Sequence, residues 1–508
     1  MTPHSHRPTP VRHRLLSLLL SATIALAPLS SQAGVDIAQQ PLSVADPVPP
    51  NIMFIMDDSG SMAWQHMPGT TATWSAAPPS GLPYSSDLTN DIRLRASNVN
   101  SQWYNPLITY EPWLKGHSEL NPTGKDYSVD ASLSGALKDP SGQTETGTFD
   151  FQGELSDWPT ISTSDTGNYT SSWRYSGFYL LNPNASATND QNYVRYEFRY
   201  EQICTQTQRQ CNRWSCWDVC VAYQSSWKAR KVTLTSSGGN STITNLTQFD
   251  WTAHGGPVRT IQQEIQNYAN WYSYYRLRAT MAKASASRVF AKLGTGYRIG
   301  YNTIWNLQNF PIPVGNENGL FRGDNKKSWF EKLFSTGSDN GTPLRQALGR
   351  AGEYFTDTAS TGPYGPETGS QQVSCRQNFA IMTTDGYWNS NAAGNSDARA
   401  DNDSTSGSTI NGLNGKTYKY VAGLPYKDGR SNTLADVAMY YWKTDLVPDL
   451  VNNVPTTAKN PAFWQHMRTF GISIGEKGTL DPKTDLPALT AGTKTWPAPG
   501  CDQSGWSC

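Results

Sequence analysis

Three short apolar runs stand out along the chain, at residues 51–56 (N-I-M-F-I-M), 378–383 (N-F-A-I-M-T) and 467–474 (M-R-T-F-G-I-S-I). Unbroken runs of this length, rich in large and β-branched side chains, predict strands buried on both faces of a sheet. Helical period begins abruptly near Ile261. Ile261, Ile265, Tyr268, Tyr272, Tyr275, Ala279, Ala282, Ala286, Val289 and Leu293 recur at spacings of four and three, predicting one long helix with a continuous apolar stripe. Its aromatic part, N-Y-A-N-W-Y-S-Y-Y-R, keeps the helical period and is read as core packing, not as a stacking platform for a ligand. An alternating strand is expected over 297–303 and an amphipathic helix around 326–334. A further helix is expected over 344–355, with Thr342 as N-cap and Pro343 at the first helical position. Another runs from Thr433 to about Asp445, capped by Ser431 or Asn432. Strand alternating with helix predicts an α/β fold, a mostly parallel, Rossmann-like sheet with helices on both faces.

Polar stretches interrupt this frame. Residues 63–255 are rich in Ser, Thr, Asn, Gly and Pro and lack sustained helical period, while 193–200 and 228–235 alternate as half-buried strands do. They predict one large β-rich insertion. Residues 388–430 form a second polar insertion, and 34–50, with four prolines, an extended leader. The frame itself is then 51–62 and 256–485.

Composition adds a compartment. Arg7, Arg12 and Arg14 precede an apolar core at 15–27, followed by Ser31-Gln32-Ala33, which is the layout of a secretory signal peptide over 1–33. That core is too short to span a bilayer, and no other segment is long and apolar enough. With 41 basic and 41 acidic residues the net charge is zero, so no global field favours nucleic acid or an anionic membrane. Seven cysteines suit an oxidising compartment. Cys204, Cys211, Cys216 and Cys220 lack the paired spacing of ordinary zinc sites, so two local disulfides stapling the insertion are expected. Cys501 and Cys508 are close enough to pair, which leaves Cys375 odd.

Chemistry concentrates where the first run stops. Asp57, Ser59 and Ser61 alternate at the strand's carboxyl end, where open α/β sheets bind ligands, and Gly60 lets the backbone turn. One carboxylate and two hydroxyls are hard donors suited to Mg²⁺, Mn²⁺ or Ca²⁺. The spacing D-x-S-x-S resembles the metal-ion-dependent adhesion site of von Willebrand factor A domains. In those domains a threonine before a helix and an aspartate at a later strand end join the first motif on one divalent cation. Here G-T-P-L supplies Thr342 and T-T-D-G supplies Asp385, in the matching order. The resemblance implies a site with an open coordination position that an acidic side chain of a partner completes. Asp58 is expected to face a second shell or solvent.

Competing motifs fail on context. G-I-S-I-G at 471–475 fits the nucleophile-elbow pattern, but Ser473 lies within a strand and not at a strand–helix turn, so a secreted serine hydrolase is disfavoured. Gly294 and Gly296 miss the dinucleotide spacing, and His66, His117, His254 and His466 are isolated. Asp401 to Gly407 (D-N-D-S-T-S-G) resembles a calcium loop without its glycine at the sixth position or its closing Glu, and is expected to be solvated. Arg322-Gly323-Asp324 is too short to carry weight.

Six blocks extend the resemblance: D-P-V-P-P-N-I-M-F-I-M-D-D-S-G-S-M (46–62), W-Y-N-P-L-I-T-Y-E-P-W (103–113), N-Y-A-N-W-Y-S-Y-Y-R-L-R (267–278), T-D-G-Y-W (384–388), T-L-A-D-V-A-M-Y-Y-W (433–442) and W-Q-H-M-R-T-F-G-I-S-I-G (464–475). Together they resemble PilY-type proteins of bacterial type IV pili. That resemblance implies a non-enzymatic, pilus tip-associated adhesin that supports pilus biogenesis and surface sensing. It would be exported to the periplasm and then displayed at the pilus tip, with minor pilins and an acidic host or surface protein ligand as partners. A structural, tip-capping or priming role with a merely stabilising metal is the alternative. Family members continue into a β-propeller that carries a calcium site, whereas 486–508 reads as a truncated tail.

Overall fold

The computed structural model describes residues 48–64, 95–114, 136–149, 177–187, 189–234, 240–305, 309–386, 388–389, 391–474 and 480–497. In chain order the main strands are β1 (Asn51–Met56), β2 (Gly177–Leu181), β3 (Tyr193–Cys211), β4 (Cys216–Leu234), β5 (Asn240–Leu246), β6 (Arg298–Thr303), β7 (Asn378–Thr384) and β8 (Met467–Ser473). The helices are α1 (Ile261–Tyr274), α2 (Arg278–Phe290), α3 (Gly323–Ser335), α4 (Leu344–Tyr354), α5 (Leu434–Lys443) and α6 (Pro482–Ala491). The expected signal peptide, most of the leader and the proposed Cys501–Cys508 pair lie outside the described residues.

β6, β1, β7 and β8 form a four-stranded sheet in that order, and every neighbouring pair is parallel. All six residues of β1 are buried, and alternation assigns them to two cores. Met53 and Ile55 join Leu344, Leu348 and Ala351 of α4 and Val437 and Tyr441 of α5. Ile52, Phe54 and Met56 join Ala279, Ala282 and Phe290 of α2 and Trp329, Phe330 and Leu333 of α3. Helices therefore cover both faces, as the strand–helix alternation predicts. Burying each such side chain stabilises the fold by about 1.5–3 kcal/mol. Asn51 ties the strand's start to its neighbour, its Nδ2 donating to Asn378 Oδ1 and the Pro363 carbonyl, both at 2.9 Å.

The insertion builds a separate antiparallel sheet, β2–β3–β4–β5. β3 and β4 are 19 residues each, and the ribbon's outer part is exposed and cross-linked by Cys204–Cys220 and Cys211–Cys216. Its base packs Phe178, Leu180, Phe198 and Ala229 against Tyr268, Trp271 and Tyr272 of α1. The aromatic stripe is core, as read. Cys375 is a half-buried free thiol.

Several expectations need correction. The single long helix breaks at Tyr275–Leu277: Tyr275 sits at φ −136° and Leu277 is extended. The break lets α1 turn its aromatic face to the insertion while α2 lays small alanines on the parallel sheet, and Val289 falls outside the stripe at 58% exposed. Thr342 is not an N-cap. α4 starts at Leu344 with Pro343 in the cap position and no side-chain cap. Thr433, not Ser431 or Asn432, caps α5 through a capping box with Asp436. β8 is an edge strand in which only Met467 is buried, with Phe470 and Ile472 exposed, so its apolar run is not a doubly covered strand.

Candidate functional site at the carboxyl ends of the parallel strands

β1 and β7 are paired neighbours, so the residues that follow them meet at one edge of the sheet. Asp57 follows β1 and is fully buried. Its Oδ1 accepts the Ser59 N–H at 2.8 Å, which folds the D-x-S-x-S segment back over the strand end. Its Oδ2 accepts the Asp385 N–H at 3.3 Å, from the residue after β7. The hydroxyls of Ser59 and Ser61 lie 3.0 Å apart, and Ser61 is only half-buried, so the site opens to solvent on that side.

Thr342 is held to the same loop at one remove. Asn340 bridges Ser59, its carbonyl accepting the Gly60 N–H at 2.8 Å and its N–H reaching the Asp58 carbonyl at 3.3 Å. Two residues on, Thr342 exchanges hydrogen bonds with Asn389, through its N–H to Oδ1 and its carbonyl to the Asn389 N–H. Gly341 between them leaves space for this contact, because a Cβ there would meet Asn389 Oδ1 and the Trp305 ring at 2.9 Å and push one of them aside. The structure thus joins Asp57, Ser59, Ser61 and Asp385 by direct contact and tethers Thr342 beside them. Asp58 is buried and accepts the Trp305 N–H at 2.8 Å, so of the two expected settings, a second shell or solvent, solvent does not hold.

Sequence reasoning missed Arg278. As the first residue of α2, just past the helix break, it is 1% exposed and its Nη1 pairs with Asp385 Oδ2 at 2.8 Å. Its N–H donates to the Trp64 carbonyl and its guanidinium lies 5.0 Å from the Trp64 ring, which ties down the far end of the D-x-S-x-S segment. The apolar stripe runs through Tyr275 and Ala279, so position 278 carried no sequence signal of a buried role.

The electrostatics are unbalanced. Burial first, and then the charge of Asp385, push the Asp57 carboxyl up to about 7. Asp385 Oδ1 is buried without a hydrogen-bond partner. One guanidinium faces two carboxylates, and the donors are all hard oxygens. Such a set fits a small divalent cation, which would take the orphaned oxygen and the charge together.

Other candidate residues stay apart from this site. Ser473 is the last residue of β8, in ladder register with Thr384. His466 is buried, its Nδ1 donating to the Trp464 carbonyl at 2.7 Å. Arg322 pairs with Glu317, and Asp324 lies in the first turn of α3. His66 and His117 lie outside the described residues.

The class these features define is an α/β protein whose parallel sheet carries a buried, oxygen-rich polar site at its carboxyl edge. Within that class the chain is similar to the PilY1 proteins of type IV pili. It is 26% identical over 520 aligned residues to the type IV pilus biogenesis factor PilY1 of Pseudomonas aeruginosa strain PAO1, covering 95% of this chain. It is 27% identical to that of strain PAK, again over 95% of the chain, and 28% to that of strain UCBPP-PA14, over 91%. The chain spans 35–37% of the length of these relatives. No family model matches the chain, and no solved structure does. No helix among the described residues is long and apolar enough to cross a membrane.

Proposed function

We propose that this chain is an exported type IV pilus biogenesis factor that acts at the pilus tip, built on a von Willebrand factor A domain. In this reading Asp57, Ser59, Ser61, Thr342 and Asp385 hold a divalent cation, Mg²⁺ first and Mn²⁺ or Ca²⁺ as substitutes. An acidic side chain of a partner completes the coordination, with minor pilins and a surface protein ligand as the partners. The observation that carries the reading is the meeting of Asp57 and Asp385 at the ends of adjacent parallel strands. Two facing buried carboxylates with an orphaned oxygen are costly unless a cation joins them. Site residues include no histidine or glutamate placed as a general base, which favours binding over hydrolysis.

The test is calorimetric titration with Mg²⁺ and Mn²⁺. Asp57→Ala should abolish binding while near-ultraviolet circular dichroism stays unchanged, and unchanged affinity in a folded variant sinks the site. A second reading has its own support. The buried Arg278–Asp385 pair already neutralises half of the acidic charge, as a purely structural site would. A tip-capping role then predicts that Asp57→Ala lowers piliation and thermal stability together, without a selective loss of adhesion.

A further inference from the structure

The polar insertion holds a second group of hard ligands, independent of the D-x-S-x-S site. Asp401, Asp403 and Asp428 each present a carboxylate oxygen within 4.8 Å of the other two. Two oxygens bound to one Ca²⁺ at about 2.4 Å lie at most about 4.8 Å apart, so the trio is spaced to share one ion. Exposed acidic clusters are common and mean little alone, but Asp403 is only 1% exposed. Its Oδ1 accepts the Asp428 N–H and the Ser404 hydroxyl, each at 3.2 Å, while its Oδ2 is buried with no hydrogen-bond partner. A buried carboxylate oxygen without a donor is costly in any protein. The expectation of a solvated loop is therefore wrong at its centre.

The surroundings leave room for an added positive charge. Lys443 donates to the carbonyls of Asn402 and Thr405 at 2.7 and 2.9 Å, in the field of Asp436, Asp403 and Asp401. One ammonium thus faces three carboxylates, and Asp428 adds a further negative charge beside Asp403. Tyr420 Oη fixes the Asp403 carbonyl at 2.7 Å, which sets the loop before any ion arrives. We propose that Asp401, Asp403 and Asp428 form a second divalent-cation site, selective for Ca²⁺, that pins the 401–407 loop to the 428 turn. Ca²⁺ is favoured because it accepts irregular carboxylate-and-water shells, whereas Mg²⁺ demands a near-octahedral one. The same loop contributes Asn402, Ser406 and Gly407 to the wall of a polar cavity of about 660 Å³. The ion would therefore set the shape of that wall.

The experiment titrates the whole chain carrying Asp57→Ala with CaCl₂ by calorimetry, so that the sheet-edge site does not contribute. One site with a Kd on the order of 10⁻⁴ M is expected, as for extracellular calcium modules. Adding Asp428→Asn, at a half-buried position, should weaken it at least tenfold, and Asp403→Asn should do the same. Unchanged Ca²⁺ isotherms in both folded variants, or no Ca²⁺ binding at all in the Asp57→Ala chain, overturn the proposal. Should Asp57→Ala not fold, Asp428→Asn alone must remove one Ca²⁺ equivalent from the otherwise unchanged chain, and no loss overturns the proposal equally. Mg²⁺ binding that survives Asp428→Asn and is lost with Asp57→Ala keeps the two sites distinguishable.

Discussion

The sheet edge and the 401–428 loop both gather carboxylates, two buried ones at the edge and two half-buried ones around buried Asp403 in the loop, and they do so by opposite means. At the sheet edge Asp57 and Asp385 are 328 positions apart in the chain, and only the pairing of β1 with β7 brings them together. In the loop, three acids lie within 28 residues and meet through local turns. The first site already contains a protein cation, Arg278, held rigidly at the start of a helix. The second has Lys443 on its backbone carbonyls, leaving the carboxylates themselves without a directly bonded base in the hydrogen bonds described. Where topology builds a site, the fold supplies a countercharge; where a loop builds it, an ion from solution is the simpler source.

Removing Arg278 is the largest perturbation of that contrast. Arg278→Met leaves Asp57 and Asp385 facing each other uncompensated, which should destabilise the cation-free chain by about 3–5 kcal/mol. Saturating Mg²⁺ should then restore more stability than it adds to the unmodified protein, as read from urea denaturation with and without the ion. An equal Mg²⁺ increment in both proteins would show that the guanidinium and the cation do not share Asp385.

pH separates the two sites next. The Asp57 carboxyl is raised from an ordinary 3.8 to about 7, so its contribution to stability is full below about pH 3.8 and is lost as pH rises through 7. The cation-free chain should lose up to about 1.4 kcal/mol per pH unit across that window, and Asp57→Asn should flatten the slope. His466, lowered to about 4 by burial, acts in the opposite sense and costs stability as pH falls from 6.5 through 4. Only the difference between Asp57→Asn and the parent isolates the carboxylate, and thermal midpoints from pH 4 to 8 measure it.

The loop should respond over a narrower range. Burial raises Asp403 from 3.8 to about 6, so its contribution to stability is full below about pH 3.8 and is lost as pH rises through 6, and Asp403→Asn should remove that slope. Added Ca²⁺ should flatten this limb in the Asp57→Asn chain, where the sheet-edge carboxylate no longer titrates. Melting curves with Ca²⁺ alone and with Mg²⁺ alone distinguish the two.

How much of this was legible follows from the same contrast. β1, β7 and the motif residues at their ends were readable because buried parallel strands are continuous apolar runs and ligands sit at their carboxyl ends. The helix break was not, since the stripe of Ile261 to Leu293 keeps its period through Tyr275 and only tertiary packing on two different sheets interrupts it. Arg278 stayed hidden with it. β8 was misread because its apolar run is genuine while its outer face is exposed at an edge. The ribbon was found only at its base, because the outer part of β3 is polar, the apolar Trp217, Val221 and Tyr223 of β4 are exposed, and the ladder and two disulfides hold the two strands. Asp403 looked like a surface residue because local spacing says nothing about what Tyr420 and Asp428 fold over it.

Thr342 offers the smallest and most discriminating change. As an N-cap, its loss would cost about 1 kcal/mol of helix stability whatever the ion. The cap position of α4 is instead Pro343 with no side-chain bond, and Thr342 is buried beside the D-x-S-x-S loop. Thr342→Val keeps the shape and the γ-methyl and removes only the hydroxyl. Stability without cation should therefore stay within about 0.5 kcal/mol of the parent. Mg²⁺ affinity should fall on the order of tenfold, about 1.4 kcal/mol of binding free energy. Thr342→Ser, which keeps the hydroxyl, should hold the affinity while losing a little packing. If Val and Ser weaken Mg²⁺ equally, Thr342 acts through shape alone, and the coordinating set shrinks to the four residues that already touch.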